Sequence, residues 1–182
     1  LTIKIQGELE KLIDSFKSGN VLKNGISVAI AGKPNAGKSS LLNTLLNEDK
    51  AIVSDIPGTT RDSIEDSLVI DGINFRFTDT AGLRETKDVI ESKGIEKTKE
   101  KINNAKILIY LFDSNDTNFK EINSDIQSFK REDLSILLVR NKVDLKNSNQ
   151  NLINELQKFE IIEISANNAE SVTLLKKRLI NE

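Results

Sequence analysis

The hydrophobic positions of the chain predict one helix followed by an α/β domain. Five apolar side chains before Gly19-Asn20 have the spacing of a single helical face, namely Ile5, Leu9, Leu12, Ile13 and Phe16. Asn24-Gly25 then turns the chain into a continuous apolar run over 26–31, which is typical of a buried strand. We therefore expect a terminal helix or linker over 1–23 and a single domain over 24–182.

Strand-like runs and helical stretches alternate along the rest of the chain. Asp71-Gly72, a strong hairpin signal, separates two of the runs and predicts an antiparallel pair. The other strand–helix alternations imply a mostly parallel sheet that is covered on both faces. The predicted fold is a three-layer α/β/α arrangement with a mostly parallel six-stranded sheet and one antiparallel edge strand. Predicted strands are 26–31, 64–70, 73–78, 106–112, 135–139 and 160–164, and predicted helical stretches are 41–46, 91–104, a segment between 112 and 135, and 171–180.

Composition removes several classes of chemistry. The 182 residues contain no Cys and no His, which excludes disulfides, thiol nucleophiles, Ser-His triads and imidazole bases. Any metal must therefore be a hard cation on oxygen ligands. The net charge of −2 provides no broad basic field, so direct nucleic-acid binding by this chain is not expected. Since no apolar run is long enough to span a bilayer, we expect a cytoplasmic protein without membrane contact.

A phosphate-binding loop directly follows the first strand. Residues 32–39 read Gly-Lys-Pro-Asn-Ala-Gly-Lys-Ser and match the P-loop pattern at every fixed position, with a predicted helix behind them. The glycines let backbone N–H groups approach a phosphate, Lys38 offers a charge to the β and γ phosphates, and Ser39 offers a hydroxyl to Mg²⁺. The alternative, a glycine-rich turn with an exposed lysine, is disfavoured by this context. The expected phosphate contacts are Asn35, Ala36, Gly37, Lys38, Ser39 and Ser40.

The segment 141–144 indicates which purine is bound. Asp144 can accept hydrogen bonds from N1–H and the 2-amino group of guanine, whereas adenine leaves a carboxylate there unpaired. Lys142 can lay its methylene stem along the ring, and Asn141 can tie neighbouring loops together. A backbone N–H of Ser165-Ala166-Asn167, after the last strand, is placed to meet the guanine 6-oxo group. The predicted ligand is GTP or GDP.

Two further segments suit hydrolysis of the γ-phosphate. Asp79-Thr80-Ala81-Gly82 ends a hairpin strand, where the carboxylate can hold Mg²⁺ through water and the Gly82 N–H can touch the γ-phosphate. The long polar loop that ends at Arg61 carries Gly58-Thr59-Thr60, and one threonine hydroxyl can complete the Mg²⁺ shell. We expect GTP to order this loop and GDP to release it.

Leu83 occupies the position after Gly82 where many GTPases place a glutamine that orients the attacking water. A leucine side chain cannot hydrogen-bond, so another group must align the water. From spacing alone, several charged side chains remain equal candidates for aligning the water or stabilising charge: Arg61, Arg84, Glu85, Asp88 and Glu91.

These motifs occur along the chain in the order typical of the translation-factor class of GTPases, and their exact residues narrow the choice of family. The runs 35–43, 58–62 and 79–85, with Asp88, Glu91 and 94–96, closely resemble the G domain of the MnmE (TrmE) family of tRNA-modification GTPases. The resemblance begins at about residue 24, and the segment before it is similar to the end of the helical domain into which that G domain is inserted. It identifies 24–182 as a P-loop, Ras-like G domain. The Era and Der groups of ribosome-assembly GTPases share the first two motifs but usually differ after Asp-Thr-x-Gly.

The resemblance implies a potassium-stimulated GTPase. By this resemblance Ser39 and Thr60 bind Mg²⁺, and Glu91 aligns the water, with Lys38 and Thr60 also catalytic. Two G domains face each other across their nucleotide sites and form a transient homodimer, while MnmG and tRNA are partners of the full-length protein. The implied potassium ligands are Asn35, Ser54, Ile56 and Thr59, and the implied nucleotide loop comprises Ser54, Asp55, Ile56, Pro57, Gly58, Thr59 and Thr60.

The family's folate-binding domain and its Cys-containing motif have no counterpart here, so an isolated G domain is expected. Two other functions stay open. One is a nucleotide-dependent binding module with negligible turnover, and the other is a ribosome-assembly GTPase of the Era or Der type.

Overall fold

The computed structural model describes residues 25–49, 66–77, 102–145 and 149–182. The helix predicted within 1–18 and nearly all of the helical stretch predicted over 91–104 lie outside these ranges. The described elements, in chain order, are β1 (Ile26–Ala31), α1 (Lys38–Asp49), β2 (Asp66–Ile70), β3 (Ile73–Phe77), β4 (Ile107–Asp113), α2 (Phe119–Phe129), β5 (Ser135–Asn141), α3 (Gln150–Leu156), β6 (Ile161–Glu163) and α4 (Ala169–Ile180).

The strands form a six-stranded sheet in the order β2-β3-β1-β4-β5-β6. Only β2 and β3 pair antiparallel among the described strands, and β2 lies at the edge. Their turn consists of Asp71 and Gly72, with φ angles of 48° and 80°. Two consecutive positive φ angles suit the twist of a two-residue hairpin, which is why Asp-Gly is favoured there. The predicted sheet, including its antiparallel edge strand, is confirmed.

Helices cover both faces of the sheet. On β4, which is buried along its whole length, Ile107, Ile109 and Leu111 join one apolar cluster, while Leu108 and Tyr110 join the other. This alternation follows from the two-residue period of a strand. The first cluster takes its helical residues from α1 and α4, and the second takes them from α2 and α3 together with the helical Ile102. The predicted three-layer α/β/α architecture is therefore confirmed.

Helix α3 is the described element that the apolar pattern did not predict. It has seven residues, buries Leu152 and Leu156, and begins at Asn149, whose side chain accepts from the Leu152 N–H. A helix this short has fewer than two turns over which an apolar repeat can be recognised. Asn149, three residues before Leu152, is a capping residue that could have indicated where the helix begins. No helix within the described ranges is long and apolar enough to cross a membrane.

Candidate functional site

Four loops meet where parallel strands end. They follow β1, β4, β5 and β6, which run in the same direction in the sheet and therefore end at one edge. Ligands of parallel α/β sheets bind at this edge. The loops after β1, β5 and β6 are the ones that the sequence analysis assigned to phosphate and guanine.

Backbone geometry explains the two fixed glycines of the phosphate loop. Gly32 has a φ of 143°, and a Cβ there would lie 2.0 Å from the carbonyl oxygen of Leu111. Gly37 has a φ of 99°, and its Cβ would lie 2.1 Å from Nδ2 of Asn141. Asn35, between them, also has a positive φ, 62°, and is exposed. Glycine is required at both fixed positions because any side chain would meet backbone strain and a steric clash together.

Lys38 folds its ammonium group back into the phosphate loop. Its Nζ donates to the carbonyl oxygens of Gly32 at 2.8 Å and Lys33 at 2.7 Å. Partial burial lowers the pKa of Lys38 below its ordinary value. Helix α1 begins at this residue, and the first N–H groups of a helix have no acceptor within it. A cation and a helix N-terminus at the same loop favour an anion such as phosphate.

The buried side chain of Asn141 joins the phosphate loop to the loop after β6. Its Nδ2 donates to the Ala36 carbonyl at 2.7 Å, and its Oδ1 accepts from the Ala166 N–H at 2.8 Å. One partner is an acceptor and the other a donor, which fixes the orientation of the amide. The Thr44 hydroxyl of α1 donates to the Ala166 carbonyl at 2.6 Å. Three segments distant in sequence are thus held together by side-chain hydrogen bonds.

Lys142 and Asp144, which the sequence predicts to contact the base, directly follow the end of β5. Lys142 has a φ of 61°, and its Nζ lies 3.0 Å from Oδ2 of Asp113. The next residue, Val143, donates its N–H to the Ile164 carbonyl at 3.3 Å. Asp144 is exposed, as a residue that reads a bound base must be in the free protein.

The segment 165–167 contributes backbone donors that already have acceptors. The Ser165 N–H donates to the Ser171 hydroxyl at 2.8 Å, and the Ala166 N–H donates to Asn141. Asn167 is exposed. A guanine 6-oxo group at Ser165 or Ala166 would therefore share or replace an existing hydrogen bond.

Several predicted site residues lie outside the described ranges and stay predictions. They are Ser54, Asp55, Ile56, Pro57, Gly58, Thr59, Thr60, Asp79, Thr80, Ala81, Gly82 and Glu91. Ser39 and Ser40 are half-buried in the first turn of α1. The described ranges hold no group of three or more acidic side chains that could bind a metal. Magnesium needs only one or two protein oxygens when phosphates and water complete its shell, so the Ser39 hydroxyl fits that cation.

Asp113 and Glu121 contact lysines of the candidate site but belong to none of the motifs in the sequence. Asp113 holds Lys142, and Glu121 accepts from Nζ of Lys33 in the phosphate loop at 2.5 Å. An acidic residue at the carboxyl end of a buried strand, as in Ile107–Asp113, was the available signal for the first. For Glu121 the spacing from Asn118 could indicate a capping box, but no local signal indicates its pairing with Lys33, which lies 88 positions away.

The chain is similar in sequence to known GTPases. A family model described as 50S ribosome-binding GTPase matches residues 27–142. The tRNA modification GTPase MnmE of Flavobacterium johnsoniae is 52% identical over 189 residues, covering 98% of this chain and 40% of that protein. Its counterpart in Bacteroides thetaiotaomicron is 46% identical over 197 residues, covering all of this chain and 41% of the relative. The chain thus spans about 40% of the length of these curated relatives.

Solved structures agree on the fold. Era in complex with MgGDPNP and nucleotides 1506–1542 of 16S ribosomal RNA superposes with a TM-score of 0.58 at 29% identity, covering 86% of this chain and 56% of that one. The G domain of the T. maritima FeoB iron transporter gives a TM-score of 0.56 at 21% identity, covering 86% of this chain and 97% of that one. At that identity the second likeness supports the fold alone.

Proposed function

Since the chain belongs to the 50S ribosome-binding GTPase family and is an MnmE-type G domain, we propose that it is a potassium-stimulated GTPase that serves tRNA wobble-uridine modification. Binding and hydrolysis of GTP follow from membership of the GTPase family. The potassium requirement, the pairing of two G domains and the link to tRNA are the proposal.

The position of Asn141 is the observation that supports binding of a guanosine phosphate, whereas the potassium requirement, the pairing of G domains and the link to tRNA are proposed from the likeness to the MnmE relatives. The two hydrogen bonds of Asn141 hold the phosphate loop at Ala36 and the loop after β6 at Ala166 in contact with the end of β5. A ligand that presents phosphates to Lys38 and a flat base to Lys142 and Asp144 at the same time would suit this arrangement. A guanosine phosphate has both parts, and Asp144 selects guanine through its two N–H donors.

For hydrolysis, the chain must place charge on the phosphates and orient one water. Lys38 binds the β and γ phosphates, and the Ser39 and Thr60 hydroxyls would hold Mg²⁺, which neutralises charge that develops on the leaving oxygens. Asn35, which is exposed within the phosphate loop, would ligate K⁺ together with Ser54, Ile56 and Thr59. Because Leu83 cannot orient water, we assign that role to Glu91.

Phosphate release in KCl and in NaCl buffers of equal ionic strength tests the potassium requirement. We expect K⁺ to raise the rate, and we expect the rate per chain to rise with protein concentration, because two G domains must meet. The Asn35→Ala variant should lose the difference between the salts while its GDP affinity stays within a few-fold. Equal rates in both salts for the unaltered chain would contradict the proposal.

A panel of single alanine variants tests the assignment of Glu91. Glu91→Ala should lower the hydrolysis rate steeply while GTP affinity stays within a few-fold. Glu85→Ala and Asp88→Ala serve as matched controls, since both remove one carboxylate from the same segment. If a control loses as much activity as Glu91→Ala, or if Glu91→Ala keeps its activity, Glu91 does not align the water.

A second candidate function is a nucleotide-dependent binding module with negligible turnover, and Leu83 is compatible with this function as well as with hydrolysis. Such a module would bind GTP and GDP but release phosphate near the background rate in either salt. Hydrolysis above background in KCl excludes this candidate.

A further inference from the structure

The segment 113–118, from the last residue of β4 to the residue before α2, lies between the two halves of the candidate nucleotide site and belongs to none of the GTPase motifs in the sequence. We call it the β4–α2 loop. It follows a strand that is central in the sheet and buried throughout, and Ser114 within it is also buried. Its ends contact a lysine of the phosphate loop and a lysine of the guanine motif.

On the phosphate side, the contact is made by Lys33. Its Nζ donates to the Asp116 carbonyl at 2.9 Å and to Oε2 of Glu121 at 2.5 Å. The same Glu121 oxygen accepts from the Thr117 hydroxyl at 3.1 Å and from the Asn118 N–H at 3.4 Å. Asn118 and Glu121 form the capping box that begins α2, so Lys33 is attached to the fixed start of a helix.

On the base side, the contact is made by Asp113. Its Oδ2 lies 3.0 Å from Nζ of Lys142, and its Oδ1 accepts from the Asn115 N–H at 2.9 Å. Asp113 is only 8% exposed and pairs with Asn141 in the register of β4 and β5. Burial alone would raise the pKa of Asp113, but the Asn115 N–H and the Lys142 ammonium outweigh it and lower the pKa below its ordinary value. Asp113 is therefore an anion at neutral pH.

These contacts restrict the two lysines before any nucleotide arrives. A lysine side chain has many rotamers, and each one excluded in the free protein lowers the entropy lost on binding. Holding the Lys142 ammonium at Asp113 leaves its methylene stem as the part that can lie on a base. Holding Lys33 at Glu121 fixes the first half of the phosphate loop relative to α2.

We propose that Asp113 and Glu121 are positioning residues for guanine-nucleotide binding, Asp113 by placing Lys142 and Glu121 by placing Lys33. The β4–α2 loop then couples the phosphate end of the site to the base end. The inference rests on the proposed GTP and GDP binding.

A double-mutant cycle on GDP affinity tests the base side. The variants are Asp113→Asn, Lys142→Met and the double variant, titrated with GDP and Mg²⁺ in the 182-residue chain. Each single variant should weaken binding by about tenfold, the size expected for loss of one charge-assisted contact. If Asp113 acts through Lys142, the double variant should bind GDP no less tightly than whichever single variant has the lower GDP affinity. Effects that multiply to about a hundredfold would overturn this half of the proposal.

The Glu121→Gln variant tests the contact with Lys33 on the phosphate side. This test can be made even if the Asp113→Asn variant fails to fold. Glutamine keeps the capping box and an acceptor oxygen but removes the charge that pairs with Lys33. We expect a few-fold loss of GDP affinity that disappears in a Lys33→Met background. Asp133→Asn is the matched control, because Asp133 is an exposed acid paired with Lys106 and Arg131 and should leave GDP affinity unchanged.

The outcomes separate the inference from the function on which it rests. If the unaltered chain binds no GDP, the proposed function is wrong and the inference with it. If the unaltered chain binds GDP but Glu121→Gln matches the Asp133→Asn control and the Asp113 cycle is multiplicative, only the inference is wrong.

Discussion

Replacing Asn141 perturbs the contact on which the whole site depends. The Asn141→Ala substitution removes both side-chain hydrogen bonds, 2.7 Å to the Ala36 carbonyl and 2.8 Å to the Ala166 N–H. Both alanines are only 3% exposed, so neither backbone group gains ready access to water. The substitution therefore leaves one acceptor and one donor buried without partners.

The magnitude follows from these two groups. An unsatisfied buried backbone group costs about 1–3 kcal/mol, so Asn141→Ala should lower the free energy of unfolding by about 2–4 kcal/mol once local relaxation is allowed for. For a chain of this length each kcal/mol corresponds to roughly 2–4 °C in the melting temperature. The expected decrease in the melting temperature is thus on the order of 5–15 °C. The loss of about 2–4 kcal/mol is a large share of a typical stability of about 5–15 kcal/mol.

Thermal melting followed by far-ultraviolet circular dichroism measures the effect without nucleotide, and Asn167→Ala, at an exposed neighbour, is the matched control. In Asn141→Asp, one carboxylate oxygen would face the Ala36 carbonyl, which raises the pKa of the new carboxyl because protonation restores the donor. A raised pKa gives stability that is present at low pH and lost as the pH increases through it. The variant should therefore approach the unaltered chain as the pH falls from 8 to 5. Melting of Asn141→Ala within about 1 °C of the control would refute this reasoning.

Three further predictions concern the phosphate loop, Asp113 and Tyr110. Gly37→Ala should abolish GDP binding, since its Cβ would lie 2.1 Å from a side-chain nitrogen, whereas Gly72→Ala, also at positive φ but with nothing within 4 Å, should retain it. Titration with GDP compares the two. Asp113 has a lowered pKa, so its contribution to stability is present above the ordinary carboxyl range and lost as the pH falls below its folded pKa. The difference in urea-unfolding free energy between the unaltered chain and Asp113→Asn should accordingly shrink between pH 7 and pH 3. Tyr110→Phe removes a 2.6 Å hydrogen bond to the carboxylate of Asp125 and should cost about 1.5–3 kcal/mol in the same assay, without changing GDP affinity.

Local patterns predicted the features of the fold that local physics controls. Asp71-Gly72 predicted the hairpin because few other dipeptides adopt two positive φ angles at low cost. The continuous apolar run over 107–112 predicted a strand buried on both faces, and the sheet places it between β1 and β5. The phosphate loop could be predicted for the same reason, because the backbone angles at Gly32 and Gly37 exclude most other residues.

Contacts between distant segments could be predicted only in part. Asn141 was expected to tie loops together, but its partners, Ala36 and Ala166, offer backbone groups that any residue carries. The pairing of Asp113 with Lys142 depends on the order of strands in the sheet rather than on either residue's neighbours in sequence. Pairs of this kind can be predicted only once the order of the strands is known, because that order decides which strand ends are neighbours.

The central claim is that these loops bind a guanosine phosphate, and calorimetric titration with GDP and with ADP in the presence of Mg²⁺ tests it most directly. Asp144 should make the chain prefer GDP by roughly 10⁴, and Asp144→Asn should remove most of that preference while Lys38 still binds the phosphates. Equal affinity for the two nucleotides, or no heat with either, would contradict the account.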